Sequence, residues 1–317
     1  MSQPQVLQRD AFIDELYTAA KKNPDIYFLC CDLGAKALDR FKVDLKEQFI
    51  HTGISEQNMM DIAAGLALNG KIVYAYAMAP FVTFRCYEQI KVAIASMNLP
   101  VTILGVGVGY SYDDAGPTHY ATEDIGCMRS LANIEILTPG DHESVVQTAR
   151  LTYTKPAFRY IRLDRKYLPT VYEAGDNRFM TDGFTEIEPG KDACIVTYGY
   201  MIQKAREVRK NLQAEGINVA IVDAYRMKPI SNQSIRSVFS KYSKIITLEE
   251  HFLSAGLGSV VLEALNDAEV SKSVKRIGIV DKYYCENGGR DYLHKLSKID
   301  VATVTNEVRS YCGKIAV

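Results

Sequence analysis

Short apolar runs alternate with helically periodic segments along the chain, and this alternation constrains the fold more than any other feature. The apolar runs predict strands at 26–30, 49–53, 71–77, 101–107, 134–139, 157–163, 193–199, 217–224, 244–250 and 275–281. The segments between them predict helices at 7–22, 55–69, 82–97, 122–132, 141–153, 201–214, 231–240, 257–268 and 303–312. Such alternation is typical of β-α-β units, so the sequence predicts an α/β fold with mostly parallel sheets flanked by helices.

One segment interrupts this rhythm. The stretch 166–192 is rich in Pro, Gly, Asp and Asn, which favour turns over regular elements. We therefore predict two domains, at 1–168 and 190–317, joined by a linker at 169–189. A chain of 317 residues is long enough for two such domains.

The composition excludes several classes of partner. The formal net charge is −1 and no run of five like charges occurs, so we expect no binding to nucleic acid or to an anionic membrane. The first residues lack the features of a signal peptide, and no apolar stretch is long enough to span a bilayer. Seven cysteines without a C-x-x-C pair favour free thiols over disulfides or zinc. We expect a cytoplasmic protein without a metal site of its own.

The segment HTGISEQNMMDIAAGLALNG, residues 51–70, places one carboxylate, Glu56, in the first turn of a small and apolar helix. Ser55 is a candidate N-cap, as are Thr122 and Asp141 for later helices, and an acid in a first turn complements the helix dipole. Capping alone therefore explains Glu56. The Ala and Gly residues that follow permit close packing, however, and a buried carboxyl that stays protonated can donate a hydrogen bond to a ring nitrogen.

A rigid Gly-Pro turn in DDAGPTHYATED, residues 113–124, presents His119 after the predicted strand 101–107. Ligands of parallel α/β sheets bind beyond the carboxyl ends of the strands, where this histidine is expected. A loop histidine with only local hydrogen bonds explains the residue equally well when it is taken alone. Asp32 also follows a predicted strand, at 26–30, and is expected at a carboxyl end.

Aromatic residues recur in APFVTFRCYEQIK, residues 79–91. Phe81, Phe84 and Tyr87 stand at three-residue spacing, which is the usual pattern of a helix core. The same spacing also suits an aromatic platform for a flat heterocycle, with Arg85 near it.

Two arginines, Arg162 and Arg165, close the last strand of the first predicted domain in YIRLDR. Guanidinium groups bind phosphate or carboxylate in a bidentate manner, so the pair suits an anionic sugar derivative. Surface arginines paired with Asp164 are the alternative explanation.

Together these motifs resemble the second half of transketolase, a pyrimidine-binding domain followed by the transketolase C-terminal domain. The segment 51–70 is similar to that family's G-x-x-E segment, and GPTH is similar to its substrate-histidine loop. In the second predicted domain, LEEHFLSAGLGSVVLEAL at 248–265 is similar to the family's E-E-H-x-x-x-G-G-L-G-S segment, with Ala255 at the first glycine. The resemblance covers nearly the whole chain and implies a thiamine-diphosphate-dependent transferase.

The resemblance lacks one part. The family holds the diphosphate and its divalent metal on a domain with a Gly-Asp-Gly motif, and this sequence has no G-D-G. It therefore resembles the second subunit of a split, two-gene transketolase. The implied partner is an N-terminal subunit that carries the diphosphate and a metal such as Mg²⁺, and the implied assembly is a heterotetramer. The implied reaction moves a two-carbon ketol unit from a ketose phosphate to an aldose.

The resemblance also implies cofactor contacts. Glu56 would hydrogen-bond the aminopyrimidine ring nitrogen and favour the imino form of thiamine diphosphate, which removes the thiazolium C2 proton. Phe81, with Phe84 as the second choice, would stack on the pyrimidine, and Arg85 would lie beside the ring. Asp32 matches an acid near the thiazolium.

Substrate contacts are implied for His119, which would touch the substrate oxygens, and for Arg165, which would bind the phosphate end. The acid that precedes G-P-T-H in ordinary transketolases is Ala115 here, and the adjacent Asp114 is the candidate to replace it. A second substrate histidine of the family falls on Gly107. Lost hydrogen bonds to a hydroxyl change substrate choice strongly, so we hypothesise a less hydroxylated ketose, or a branched or deoxy sugar phosphate.

Two other functions are compatible with the sequence. The same fold serves 1-deoxyxylulose-5-phosphate synthases and the beta subunits of 2-oxo acid dehydrogenases; the GPTH loop argues against the dehydrogenases only. A catalytically silent binding or regulatory subunit is the alternative of another class, and the presence of Glu56 and His119 weighs against it.

Overall fold

The structure is a computed structural model that describes residues 6–313, so the ends of the two predicted domains, 1–5 and 314–317, lie outside the described residues. The strands are β1 Ile26–Cys30, β2 Phe49–His51, β3 Ile72–Met78, β4 Val101–Val106, β5 Glu135–Leu137, β6 Arg159–Leu163, β7 Thr185–Glu188, β8 Ala193–Thr197, β9 Val219–Asp223, β10 Arg226–Lys228, β11 Lys244–Phe252 and β12 Ser273–Ile279. The helices are α1 Gln8–Ala20, α2 Leu38–Asp44, α3 Glu56–Leu68, α4 Ala79–Thr83, α5 Tyr87–Gln89, α6 Asp124–Arg129, α7 His142–Thr154, α8 Arg178–Asp182, α9 Met201–Ala214, α10 Asn232–Phe239, α11 Leu257–Asp267, α12 Arg290–Leu296 and α13 Val301–Tyr311. A 3₁₀ turn covers Lys46–Gln48 and a π-helical turn covers Ile90–Ala95.

The strands form two sheets, in the orders β10-β5-β6-β4-β3-β1-β2 and β12-β11-β8-β9-β7. All neighbours are parallel except the edge pairs β10–β5 and β7–β9, which are antiparallel. The predicted α/β fold with mostly parallel, helix-flanked sheets is confirmed. Strand β10 comes from the second half of the chain yet completes the first sheet, where Arg226 pairs with Leu137.

Several elements differ from the sequence prediction. The predicted helix 82–97 is divided into α4, α5 and the π-helical turn. Near the break, the Thr83 hydroxyl and the Cys86 thiol hydrogen-bond to backbone carbonyls one turn earlier, and such bonds often bend helices. Within the predicted linker 169–189, the chain forms α8 and β7, and β7 pairs along β9.

The predicted N-caps have different outcomes. The Asp141 side chain accepts from the Ser144 amide in a capping box, so this prediction is confirmed. Ser55 precedes α3, but its hydroxyl donates to the Thr52 carbonyl and caps nothing. Thr122 is wrong as a cap, since α6 begins after Glu123.

The core is continuous from one sheet to the other. Strand β4 is buried along its entire length. Ile125 and Met128 of α6, beside the first sheet, belong to the same buried cluster as Leu257 of α11, beside the second. This shared core joins the two sheets. In the described part of the chain, no helix has the length and apolar character needed to cross a membrane.

Candidate active site

Glu56 is the first residue of α3, and its side chain points into the protein with 4% of its surface exposed. The buried face of α3 consists of small and flexible side chains, including Met59, Ala63 and Ala67, which bring the helix close to the sheet. Strand β2 ends only a few residues earlier, so the start of α3 lies at the carboxyl edge of the sheet. The burial that the sequence suggested for this carboxyl is present.

Arg85 lies beside both Glu56 and Phe81. Its Nη1 donates to Glu56 Oε2 at 2.8 Å, and its guanidinium carbon lies 4.1 Å from the centre of the Phe81 ring. The cation therefore neutralises a buried carboxylate and at the same time contacts an aromatic face. A carboxyl, a cation and a ring are placed together although α3 and the 79–91 segment are separate in sequence.

These side chains line a cleft of about 260 Å³. Its walls come from the end of β3, the segments that follow β1, β2 and β3, the start of α3 and the loop after β4. The lining residues are Cys31, Asp32, Leu33, Ile54, Glu56, Ala77, Met78, Phe81, Arg85 and His119. Phe84, the alternative to Phe81, is not part of the lining. Burial raises the pKa of the Cys31 thiol, so this thiol is uncharged at neutral pH.

His119 reaches the cleft from the loop between β4 and α6. Its ring lies 5.3 Å from the Phe81 ring, centre to centre, in an edge-on arrangement, and 5.9 Å from the ring of Tyr112. Thr118 Oγ1 lies 2.8 Å from His119 Nδ1, which leaves Nε2 as the nitrogen available for a ligand. The structure thus brings together Glu56 and His119, the two predicted catalytic residues.

Arg165 and Asp114 lie near Tyr112, which also contacts His119. Arg165 Nη1 donates to Asp114 Oδ1 at 2.9 Å, and its guanidinium carbon lies 4.6 Å from the Tyr112 ring centre. Both side chains are substantially exposed. Neither belongs to the lining of the cleft, so the structure places these two predicted substrate contacts next to each other but outside the cleft.

Tyr112 is a residue that the sequence did not single out. A Cβ atom at Gly107 would lie 1.9 Å from Cε2 of Tyr112, and the φ angle of Gly107 is +90°. A histidine at position 107 is therefore incompatible with this backbone and with this ring. The signal was present in the sequence as the glycine itself, but the side chain that covers it could be found only in the fold.

Arg162 has neither of the two roles that the sequence suggested, an anion ligand or a surface partner of Asp164. It is 2% exposed, and its Nε and Nη2 donate to the Asp124 carboxylate at 2.7 and 3.0 Å. Burial favours the neutral carboxyl, but Arg162 outweighs this effect and the pKa of Asp124 lies below its usual value. Arg162 is thus a buried structural cation paired with Asp124, and neither a phosphate ligand nor a surface partner of Asp164.

The arrangement fits one half of thiamine diphosphate. A buried carboxyl next to an aromatic ring suits an aminopyrimidine, which needs a partner for its ring nitrogen and a flat contact. Among residues 6–313, no cluster of three or more His, Cys, Asp or Glu side chains could hold a metal ion. Of the described residues, Glu56, Phe81 and Arg85 would hold the pyrimidine ring.

Comparison with known proteins identifies the family of the chain. Residues 5–170 match the transketolase pyrimidine-binding domain, and residues 184–304 match the transketolase C-terminal domain. A chain from Phocaeicola vulgatus, named as one of the subunits of an apulose-4-phosphate transketolase, is 33% identical over 283 residues, which are 89% of this chain and 90% of that one.

Two further proteins are similar. A solved structure described as a split gene transketolase, inactive beta4 tetramer, superposes with a TM-score of 0.86 at 31% identity and covers 97% of this chain and 98% of its own. A 1-deoxy-D-xylulose-5-phosphate synthase from Aquifex aeolicus is 32% identical over 278 residues, which are 86% of this chain but 43% of the synthase. The chain belongs to the transketolase family.

Proposed function

We propose that this chain is the pyrimidine-binding subunit of a split transketolase that moves a two-carbon ketol unit from a ketose phosphate to an aldose acceptor. The observation that carries the proposal is the meeting of Glu56, Phe81 and His119 in one cleft at the carboxyl edge of the first sheet. Bound thiamine diphosphate supplies the carbon that accepts the two-carbon unit and the sink for its electron pair.

Glu56 is the hydrogen-bond partner that the pyrimidine ring nitrogen needs. Its carboxyl is buried at the start of α3 and lines the cleft, so an incoming ring nitrogen can meet it directly. Phe81 provides the flat contact, and its place in the lining favours it over Phe84. Arg85 lies beside the ring, and Asp32, which also lines the cleft, lies near the thiazolium.

His119 contacts the substrate oxygens at the mouth of the cleft, and Arg165 binds the phosphate at the outer end. Tyr112, between them, takes the place of a polar group, since its ring covers Gly107. Ala115 offers no hydrogen bond, and Asp114 is paired with Arg165. The middle of the substrate therefore passes an aromatic wall, which supports a ketose phosphate with fewer hydroxyls there, or a branched one. A relative named for apulose 4-phosphate supports a sugar phosphate as the substrate.

The diphosphate and its metal, Mg²⁺ or a similar ion, are held by an N-terminal partner subunit. No G-D-G motif occurs in this sequence, and no metal cluster occurs within residues 6–313. A similar protein is described as an inactive beta4 tetramer, which supports activity only with the partner, in a heterotetramer. The cysteines at positions 30, 31, 86, 127, 194 and 285 are free thiols, which supports a cytoplasmic location.

The deciding experiment compares the isolated chain with the same chain co-purified with a subunit that contains G-D-G. Ketol transfer is measured with a ketose phosphate donor, and thiamine diphosphate affinity is measured by calorimetry with Mg²⁺ present. We expect tight cofactor binding and transfer only for the complex. Transfer by the isolated chain would refute the proposal.

One other reaction has support from a specific observation, because a 1-deoxyxylulose-5-phosphate synthase matches 86% of this chain. Offering the complex pyruvate with glyceraldehyde 3-phosphate, in parallel with the ketose phosphate, separates the two reactions. If this chain were a silent subunit, the complex would form no more of either product than the partner subunit alone. Glu56→Ala would then leave the activity of the complex unchanged.

A further inference from the structure

The residues that line the cleft all lie between Cys31 and His119, in the first domain. The second domain nevertheless holds the loop 107–121 that carries His119. We propose that Glu250 and Arg290 of the second domain are positioning residues, which act on substrate through that loop. This inference rests on the proposed function, because it concerns the position of His119, which the proposed function assigns as a substrate contact.

The first anchor lies before His119. The Tyr110 amide donates to Glu250 Oε2 at 3.1 Å, and the Arg290 amide donates to Asp113 Oδ2 at 2.9 Å. Glu250 also leaves no room for a side chain at Gly109. A Cβ atom added there would lie 2.0 Å from Glu250 Oε2, and the φ angle of Gly109 is +58°. The loop backbone is thus pressed against a carboxylate from the other domain, and only glycine fits at the point of contact.

A buried ion-pair network fixes that carboxylate. Arg290 donates to Glu250 at 2.8 and 2.6 Å and to Asp164, at the end of β6, at 3.2 and 2.8 Å, and all three side chains are at most 5% exposed. His294 Nε2 hydrogen-bonds to Glu250 as well. Burial would raise the pKa of Glu250, but Arg290 and His294 outweigh it and hold the pKa well below its usual range. Glu250 therefore remains a carboxylate acceptor for the loop at every physiological pH.

A second anchor lies after His119. The Phe252 amide, at the end of β11, donates to the Thr122 carbonyl at 2.7 Å. Tyr283 of the second domain donates its hydroxyl to Glu123 Oε1 at 3.1 Å. Because both ends of the loop are tied to one rigid body, the segment with His119 has a defined position between them.

Asp113 offers the sharpest test, because it belongs to the anchor, lies near the surface and is not part of the cleft lining. Asp113→Ala removes the acceptor of both the Arg290 amide and the Lys166 ammonium. Asp113→Asn keeps an oxygen for the amide and removes only the charge that pairs with Lys166. Glu307→Ala, which breaks an exposed ion pair with Lys275 within the second domain, is the control. Each variant is purified in the complete complex with the G-D-G subunit.

Three quantities are measured: kcat/KM for the donor, exchange of the cofactor C2 proton with solvent, and melting temperature. We expect Asp113→Ala to lower kcat/KM about tenfold, with unchanged proton exchange and melting temperature. Asp113→Asn should keep most of the wild-type kcat/KM, and Glu307→Ala should change none of the three quantities. A purely structural anchor would lower the melting temperature and reduce both kinetic quantities in proportion.

Undiminished kcat/KM in Asp113→Ala, or a parallel loss of proton exchange, would overturn the inference. The wild-type complex decides the underlying function separately. If it transfers no ketol unit, the proposed function fails; if it does and Asp113→Ala equals it, only the positioning inference fails. Glu250→Gln, which keeps an acceptor for the Tyr110 amide but removes a buried charge from Arg290, provides a second variant. It should lower the melting temperature, and it should lower kcat/KM far more than it lowers proton exchange.

Discussion

Arg85 donates to the Glu56 carboxylate at 2.8 Å while its guanidinium carbon lies 4.1 Å from the centre of the Phe81 ring. The two groups assigned to the pyrimidine are thus held together by one cation. A buried carboxylate without such a partner is costly to desolvate, so Arg85 explains how Glu56 can be kept inside the protein. The same pair orients Glu56 toward the cleft.

Replacement of Glu56 by glutamine should abolish catalysis and leave the fold intact. Glutamine has the same shape but cannot pass a proton, so we expect kcat to fall by about 10²- to 10⁴-fold. Exchange of the C2 proton of bound thiamine diphosphate, followed by NMR, measures the affected step directly. Asp61→Asn, on the exposed side of the same helix, is the control and should behave as wild type. Normal exchange in Glu56→Gln would contradict the assignment.

The two aromatic candidates should differ in their effect on cofactor affinity. Phe81 lines the cleft and contacts both Arg85 and His119, whereas Phe84 is absent from the lining. Loss of a stacked ring costs about 1.4 kcal/mol, so Phe81→Ala should weaken thiamine diphosphate binding about tenfold. Calorimetric titration of the complex measures this constant. A larger effect of Phe84→Ala would reverse the assignment.

Tyr112 should control which donors are accepted. Its ring fills the space over Gly107 and contacts His119. Tyr112→Ala therefore opens room beside this histidine for hydroxyl groups of the donor sugar. We expect the ratio of kcat/KM for xylulose 5-phosphate to that for its 4-deoxy analogue to rise about tenfold. Tyr112→Phe keeps the ring and should keep the wild-type ratio. An unchanged ratio in Tyr112→Ala would show that this ring does not select the donor.

Asp223 should make stability depend on pH. Burial raises its pKa to about 7; the Tyr172 hydroxyl donates to Oδ2, while Oδ1 has no hydrogen-bond partner among the described residues. Because the pKa of Asp223 is higher in the folded than in the unfolded protein, protonated Asp223 adds to the free energy of unfolding. This contribution is complete below the unfolded pKa of about 4 and is lost as the pH rises toward 7. Asp223→Asn should remove this loss, so its stability relative to wild type should grow by about 1.4 kcal/mol per pH unit up to neutrality. Chemical unfolding between pH 5 and pH 8 measures the difference, and a pH-independent difference would contradict it.

Much of the fold could be predicted from the sequence because its strands are continuous apolar runs and its long helices are strongly periodic. The predicted helix at 201–214 matches α9 residue for residue. Strand β10 could not be predicted, since Arg226–Lys228 is short and polar and becomes a strand only by pairing with β5. The break in the helix near Phe84 depends on side-chain hydrogen bonds to the backbone, which apolar periodicity does not reveal.

The site divides in the same way. Glu56 and His119 could be found because each stands in a local pattern, the first turn of an apolar helix and a Gly-Pro turn. The contact between Arg85 and Glu56 joins residues that are 29 positions apart, and it depends on the irregular helix between β3 and β4. Arg162 was misread because its partner, Asp124, lies on another element and is buried with it. Side chains that act across elements become visible only in the folded chain.

Strand β10 belongs to the second half of the chain but completes the sheet of the first half, and this has a consequence for how such a gene can be divided. Strand β5 is flanked by β10 on its outer side, and the Thr138 amide and hydroxyl continue the contact to the carbonyls of Tyr225 and Ala224. A polypeptide that stopped between the two sheets would expose β5 as a bare edge, open to pairing with any other chain. Evolution can therefore detach or fuse a neighbouring module at the outside of this pair of sheets, but a cut between them would produce a fragment prone to aggregate.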